Sequence, residues 1–397
     1  MKAVVLKTLD AFASAKLAQL EETALRRSLV DTERPDGPIV IRGGRRLVSF
    51  SCNDYLGLSH HPKVKAAAIA AIAAYGTGAG ASRLVTGNHP LLAELEARLA
   101  KLKRTEAALV FGSGYLANLG IIPVLTGEAD LILVDELAHA CLFAGARLSP
   151  AEHRVFRHND VEHARTILAT ERARFRHALL VTDGVFSMDG DLAPVAALAE
   201  LCAEYDTWLM TDDAHGLGVL AQGRGSSFVD GGKPDVPLQM GTLSKAIGGY
   251  GGYLCASRSV IDLLISRART LIYSTGLPPA NAAAALVALE VIENDPALTE
   301  KPLAKARAFT RRLGLPDAQS PIVPLVLGSS EAALAASRRL EDKGYLVIAV
   351  RPPTVPAGSE RLRFAFCANH TDDDVARLAD IVARLRGDLL LPRHEIP

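Results

Sequence analysis

Trp208-Leu209-Met210-Thr211-Asp212-Asp213-Ala214-His215-Gly216 runs from three apolar residues into two carboxylates and a histidine. An apolar run that stops on charge predicts a buried strand with its C-terminal end at an opening, and open α/β sheets bind their ligands there. Further apolar runs lie on either side, at 107–111, 131–134, 178–182 and 239–241, separated by helical patterns such as 62–75 and 91–102. This alternation predicts an α/β fold with a mostly parallel sheet covered on both faces. Residues 1–55 read as an N-terminal arm, with an amphipathic helix ending in Arg26-Arg27 and short strands through Phe50. Residues 56–280 carry the large sheet. In 281–397, strands at 322–327, 346–350 and 361–366 alternate with helices at 331–343 and 372–385, which predicts a smaller C-terminal α+β domain.

The run Met240-Gly241-Thr242-Leu243-Ser244-Lys245-Ala246-Ile247-Gly248-Gly249 sets one lysine among small, flexible neighbours. Alone it reads more readily as a solvated loop. Beside Asp212 it looks like a Schiff-base lysine, because pyridoxal 5'-phosphate (PLP) needs an amine for its aldehyde, a carboxylate for its pyridine nitrogen and a cradle for its phosphate. Asp212 meets the second need by stabilising the protonated ring, and His215 is placed to hydrogen-bond the ring oxygen. For the third, Ala107–Phe111 followed by Gly112-Ser113-Gly114-Tyr115 reads as strand, glycine turn and helix start. Free N–H groups at such a helix start attract phosphate. Asp212-Asp213 could also be metal ligands, but no His or Cys stands nearby at metal spacing, so no metal is expected. Gly76-Thr77-Gly78-Ala79-Gly80-Ala81 fits a dinucleotide fingerprint only nominally, since a helical pattern precedes it where a strand is required. It reads as backbone passing near the site.

Composition narrows the function class. Lys+Arg and Asp+Glu balance at 44 each and aromatic residues make up only 5%, so the chain lacks both the basic stripe and the stacking platforms of a nucleic-acid partner. The five cysteines form no CxxC pair and fit a reducing compartment. Lys7 and Asp10 break the one apolar stretch that resembles an export signal, and no window suits a bilayer, so no membrane association and a cytoplasmic location are expected.

In order along the chain, several segments resemble the α-oxoamine synthases, a family of fold-type I PLP-dependent enzymes with an aminotransferase-like fold. They are Ser51-Cys52-Asn53-Asp54-Tyr55-Leu56-Gly57-Leu58, the glycine run 76–87, Thr182-Asp183-Gly184-Val185-Phe186-Ser187-Met188-Asp189-Gly190-Asp191, the Asp212 and Lys245 segments, and Ile272-Tyr273-Ser274-Thr275. Val350-Arg351-Pro352-Pro353-Thr354-Val355-Pro356-Ala357-Gly358 is similar to the pimeloyl-using branch, with a glycine C-acetyltransferase or another sister enzyme as the alternative.

This resemblance implies a PLP-dependent, decarboxylating condensation of L-alanine with pimeloyl-CoA or pimeloyl-acyl carrier protein, in biotin biosynthesis. It implies Lys245 as the covalent lysine and base, and His139 stacked on the cofactor and acting in catalysis. Ser113, Gly114, Tyr115 and Thr242 would hold the phosphate, Ser187 and His215 the ring oxygen, and Asp212 the ring nitrogen. Ser274 and Thr275 would reach in from the second subunit of a homodimer with shared sites. Arg363 would grip the amino-acid carboxylate, with Asn53 and Arg351 beside it, while Arg26 and Thr354 would line the acyl path. Strand alternation independently turns Arg361, Arg363 and Ala365 away from Leu362, Phe364 and Phe366. Cys141 and Cys52 stand where the family commonly has serine, and both are small replacements.

Overall fold

The computed structural model describes residues 8–232 and 235–390. Its centre is a seven-stranded sheet in the order Ala107–Phe111, Gly252–Ala256, Leu238–Thr242, Trp208–Asp212, Ala178–Asp183, Leu131–Asp135 and Glu152–Phe156. Gly252–Ala256 runs antiparallel to both neighbours and the other strands are parallel. Alternation along each strand sends side chains to opposite faces. Ala108 and Val110 join one core with Leu92, Leu95, Leu99 and Leu289, whereas Leu109 and Phe111 join another with Ile121, Met210, Met240 and Ile261. Helices thus cover both faces, which is why these strands read as continuous apolar runs.

The parallel α/β architecture expected from the sequence is present, and two strands had no visible signal. Glu152–Phe156 is the sheet's edge and exposes most of its charged side chains. Gly252–Ala256 begins on a glycine that allows a close crossing: a Cβ at Gly252 would stand 2.5 Å from the Ser113 carbonyl oxygen and 2.6 Å from the Gly114 nitrogen. That contact presses the strand against the turn opening the helix Gly114–Leu125.

A three-stranded antiparallel sheet places Arg361–Ala365 between Ile322–Val326 and Ile348–Val350. Leu362, Phe364 and Phe366 pack with Phe309, Leu340 and Leu378. Arg361 and Arg363 therefore face the large sheet. The hairpins Glu33–Asp36, Ile39–Arg42 and Arg45–Ser49 are joined in parallel by Tyr345–Leu346, and Phe50 stacks on His370 at 3.8 Å between centroids.

The N-terminal helix spans Leu9–Glu22, so it stops short of Arg26-Arg27, a correction to the expected boundary. None of its residues is buried, and the Thr23 N–H closes its last turn onto Glu21. The run 76–81 follows the helix Pro62–Tyr75, so the strand a dinucleotide fingerprint requires is absent. It lies beside Thr275 and Gly276 instead, through the Ser82–Thr275 bridge and a bond from the Gly276 N–H to the Ala81 carbonyl at 2.9 Å. Among the described residues no helix is long and apolar enough to cross a membrane.

Candidate active site

Four neighbouring parallel strands end on Asp135, Asp183, Asp212 and Thr242. Beyond those ends lies a cavity of about 170 Å³. Ser113, Gly114, Tyr115, His139, Ser187, Asp212, His215, Thr242 and Lys245 all line it. Residues scattered over more than a hundred positions of chain are thus brought together around one cavity.

Asp212 and Asp213 divide their work by strand alternation. The Asp212 carboxylate, 4% exposed, accepts from Asn118 Nδ2 at 2.8 Å and from the Ala214 N–H at 3.0 Å while lining the cavity. Asp213 turns away to Lys103 Nζ at 2.7 Å and to the Ser226 N–H at 3.0 Å, with both members of the ion pair fully buried. A buried pair of this kind fixes geometry more than it adds stability. Here it anchors the turn that carries His215.

Lys245 Nζ lies 2.8 Å from His215 Nε2, and His215 Nδ1 lies 2.7 Å from the Tyr55 hydroxyl. Arg363 Nη2 reaches that hydroxyl at 3.5 Å, Nη1 donates to Asn53 Oδ1 at 3.2 Å, and Nε donates to the Ser187 carbonyl. A continuous polar chain therefore links the lysine to the arginine. Burial lowers the Lys245 pKa to about 8, against the pull of Asp212 and Asp183. Burial, then the charges of Lys245 and Arg363, push His215 far down, so it stays neutral; burial likewise pushes the Tyr55 phenol up. Asp183 is raised by burial and by Asp212 beside it.

His139 caps the helix Ala140–Leu148 by accepting the Cys141 N–H on Nδ1 at 3.2 Å, with the Cys141 sulfur 2.7 Å from the same atom. Desolvation lowers its pKa, helped by Lys245 and opposed by Asp212. With Nδ1 accepting, the neutral ring carries its proton on Nε2. Its backbone N–H is held by Asp183 Oδ2 at 2.8 Å.

At the cradle, Ser113 caps the helix Gly114–Leu125 by accepting the Leu116 N–H at 3.2 Å. A Cβ at Gly114 would come within 3.3 Å of Met240 Cε and 3.5 Å of Thr242 Cβ, so glycine keeps the helix start close against the strand that delivers Thr242. Uncapped N–H groups, hydroxyls, an amine of lowered pKa and a buried carboxylate in one cavity are the donor set that a phosphorylated aldehyde with a basic ring requires.

His139 and Ser187 also line a second cleft of about 690 Å³. Its walls are largely apolar, with Leu137, Phe143, Pro352, Val355 and Pro356, and Thr354 on the same loop. Arg351 donates to the Ala24 carbonyl, and Arg27 Nη2 donates to Thr354 Oγ1 at 3.1 Å. Arg26 instead pairs with Glu21 and is exposed. Ser274 and Thr275 are not among the residues lining either cavity.

Sequence reasoning gave no role to Tyr55, Asn118 or Asp183. Two signals were visible: Asp183 ends the apolar run 178–182 as Asp212 ends its own, and Asn118 is an amide in the otherwise strongly apolar run Leu116-Ala117-Asn118-Leu119-Gly120-Ile121-Ile122.

Residues 45–382 match the model of the class I and II aminotransferases. An 8-amino-7-oxononanoate synthase from Methylocella silvestris is 73% identical over 86% of this chain and 98% of its own length. Another, from Beijerinckia indica subsp. indica, is 66% identical over 96% of this chain and 98% of its own. Among solved structures, a serine palmitoyltransferase variant from S. paucimobilis with a bound PLP-myriocin aldimine superposes with a TM-score of 0.89 at 27% identity, covering 98% of this chain and all of that one. The chain belongs to the class I and II aminotransferase family, on the branch of the 8-amino-7-oxononanoate synthases.

Proposed function

We propose that this chain is a PLP-dependent acyltransferase that condenses L-alanine with a pimeloyl thioester, carried on coenzyme A or acyl carrier protein, to give 8-amino-7-oxononanoate, CO2 and free thiol for biotin synthesis. The observation that carries this reading is the junction of two cavities at His139 and Ser187: a small one around Lys245, lined by ionisable and hydroxyl side chains, and a larger, mainly apolar one bounded by the 352–357 loop. The first suits a small amino acid and the second an acyl chain. The relatives named for this reaction match over nearly the full chain. The cytoplasm is the compartment proposed.

PLP, when bound, supplies an aldehyde for the amino group and a protonated ring that takes up the electron pair released at Cα. Asp212 keeps that ring nitrogen protonated, while Ser187 and His215 hold the ring oxygen. Ser113, Gly114, Tyr115 and Thr242 would hold the cofactor's phosphate. Lys245 would hold the aldehyde and is the base placed to take the Cα proton at Nζ; a pKa of about 8 leaves it competent near neutrality. His139 would pack against the ring and offer its Nε2–H to the developing ketone oxygen.

Arg363 grips the alanine carboxylate, with Asn53 and Arg351 completing the contact, and Thr354 lines the acyl path. Arg26 is proposed to meet the distal carboxylate by leaving Glu21, a surface pair of little worth. A second copy of the chain supplies Ser274 and Thr275. Supporting that homodimer, Ile69, Tyr75, Val85 and Tyr273 are all exposed around the segments that meet at the Ser82–Thr275 bridge.

A screen of alanine and glycine against pimeloyl and acetyl thioesters, following free thiol, tests the reading. Alanine with a pimeloyl donor is the expected productive pair, and turnover confined to glycine with acetyl-CoA overturns it. Arg363→Lys should raise KM for alanine about 10- to 100-fold, since a charge-assisted contact of about 1.5–3 kcal/mol loses its bidentate fork. Unchanged alanine KM in steady-state assays would show that the carboxylate lies elsewhere.

A further inference from the structure

Beyond the edge strand Glu152–Phe156, His158 and Asn159 reach across the ends of the neighbouring strands. His158 Nδ1 lies 3.1 Å from Asp135 Oδ1, and Nε2 lies 2.7 Å from Asp191 Oδ2. With a carboxylate oxygen opposite each ring nitrogen, both nitrogens donate, so the ring is an imidazolium. Asn159 repeats the span: its backbone N–H donates to Asp135 Oδ2 at 2.9 Å, and its Nδ2 donates to Asp191 Oδ2 at 3.0 Å and to the Leu192 carbonyl at 3.1 Å. The imidazole edge also packs on Phe186, with centroids 4.3 Å apart and the planes at 89°.

Two loops are tied together by these contacts. Asp135 begins the segment leading to His139, and it also accepts the Leu137 N–H at 2.9 Å; His158 donates its own N–H to Glu136 Oε1 at 2.8 Å. Asp191 closes the loop that carries Ser187, accepting the Phe186 N–H on its carbonyl at 3.0 Å. His139 and Ser187 are the residues shared by the amine cavity and the acyl cleft, and Glu136, Met188 and Asp189 of the same two loops line the cleft. Asp191 Oδ1 is buried with no hydrogen-bond partner of its own, so the imidazolium is the charge placed to balance that carboxylate.

We propose that His158, assisted by Asn159, is a positioning residue that fixes the spacing between the His139 loop and the Ser187 loop and so sets the fit of the acyl donor at the junction. This inference rests on the acyl-transfer reading above. A half-buried, doubly paired ring holds both loops in one arrangement, and a displacement of the order of 1 Å at such a junction costs up to about 100-fold in rate. Burial works against the charge on His158, but the bonds to Asp135 and Asp191 outweigh it and raise the pKa to about 10, so the clamp stays charged across the neutral range.

The test uses the full-length, PLP-loaded protein carrying His158→Gln or Asp191→Asn. KM for the pimeloyl thioester, kcat, and alanine binding through the cofactor's absorbance are measured for each. His158→Gln is expected to lower kcat/KM for the acyl donor about 10- to 100-fold, with Asp191→Asn smaller in the same direction. Alanine binding and the absorbance of the lysine-bound cofactor, which touch the same loops through Ser187 and His139, should change several-fold less than the acyl-donor kcat/KM.

An acyl-donor kcat/KM unchanged in both variants overturns the proposal. So does an equal loss of alanine and acyl-donor affinity, which would mark general loosening. If His158→Gln does not fold, Asp191→Asn decides by the same criteria. The wild-type control separates the two ideas. No thiol release from alanine and a pimeloyl donor removes the acyl-transfer reading, whereas normal wild-type turnover matched by the variants removes only the clamp.

Discussion

Lys245→Ala should leave a folded protein that binds PLP without a covalent bond and turns over at least about 1,000-fold more slowly, because a general base alone contributes roughly 100- to 10,000-fold. The geometry gives a reason to expect the upper part of that range. His215 Nε2 at 2.8 Å and the Tyr55 hydroxyl behind it are arranged around the amine, and no other described lysine lines the cavity to replace it. Burial is what makes this amine reactive. Lowering a lysine from its usual value of 10.5 to about 8 raises the neutral fraction at pH 7 about 300-fold, and the neutral amine is the nucleophile. Covalent capture of PLP by the wild-type apoprotein should therefore rise with pH through about 8 and level off above it. Reduction followed by mass spectrometry reads that profile, and a modified peptide other than the one containing Lys245 would refute the assignment.

How much of this was legible beforehand follows from where each residue's neighbours come from. Central strands such as Ala178–Asp183 and Trp208–Asp212 are buried on both faces, so their apolar character depends little on tertiary detail. Glu152–Phe156 hides because an edge strand keeps charged side chains in water, and Gly252–Ala256 because its defining contact is a backbone crossing at a glycine. Lys245, Asp212, His215 and Arg363 could be singled out because each sits in a local pattern whose chemistry is distinctive, and one polar chain links the lysine to the arginine. Tyr55 was not, since its role is a contact with His215, 160 positions away. The same limit explains the arm. Arg26 and Arg27 are neighbours with identical local chemistry, and which of them meets Thr354 depends on how an unburied helix docks, a matter no periodicity records.

Asp212→Asn should lower kcat about 100- to 1,000-fold, the scale of losing one preorganised charge at a reacting centre. The mutation is nearly isosteric, but it cannot be accommodated quietly. Both carboxylate oxygens already accept, from Asn118 Nδ2 at 2.8 Å and from the Ala214 N–H at 3.0 Å. An amide in this place must turn its NH2 towards one of those donors, and a buried donor left unpaired costs about 1–3 kcal/mol. The electronic loss comes on top of that, because a neutral amide gives no support to a protonated ring nitrogen.

Asp212 also pulls the Lys245 pKa upward, so its removal should move the PLP-capture profile to lower pH, a readout that does not depend on turnover. Asp213→Asn supplies the contrast. Breaking the fully buried pair with Lys103 should cost about 3–5 kcal/mol of stability, with a smaller loss of activity per folded molecule than Asp212→Asn because it loosens only the turn that carries His215. If the two adjacent substitutions instead produced the same mixture of lost stability and lost kcat, the division of labour between these carboxylates, one facing the cavity and one facing the core, would have to be abandoned.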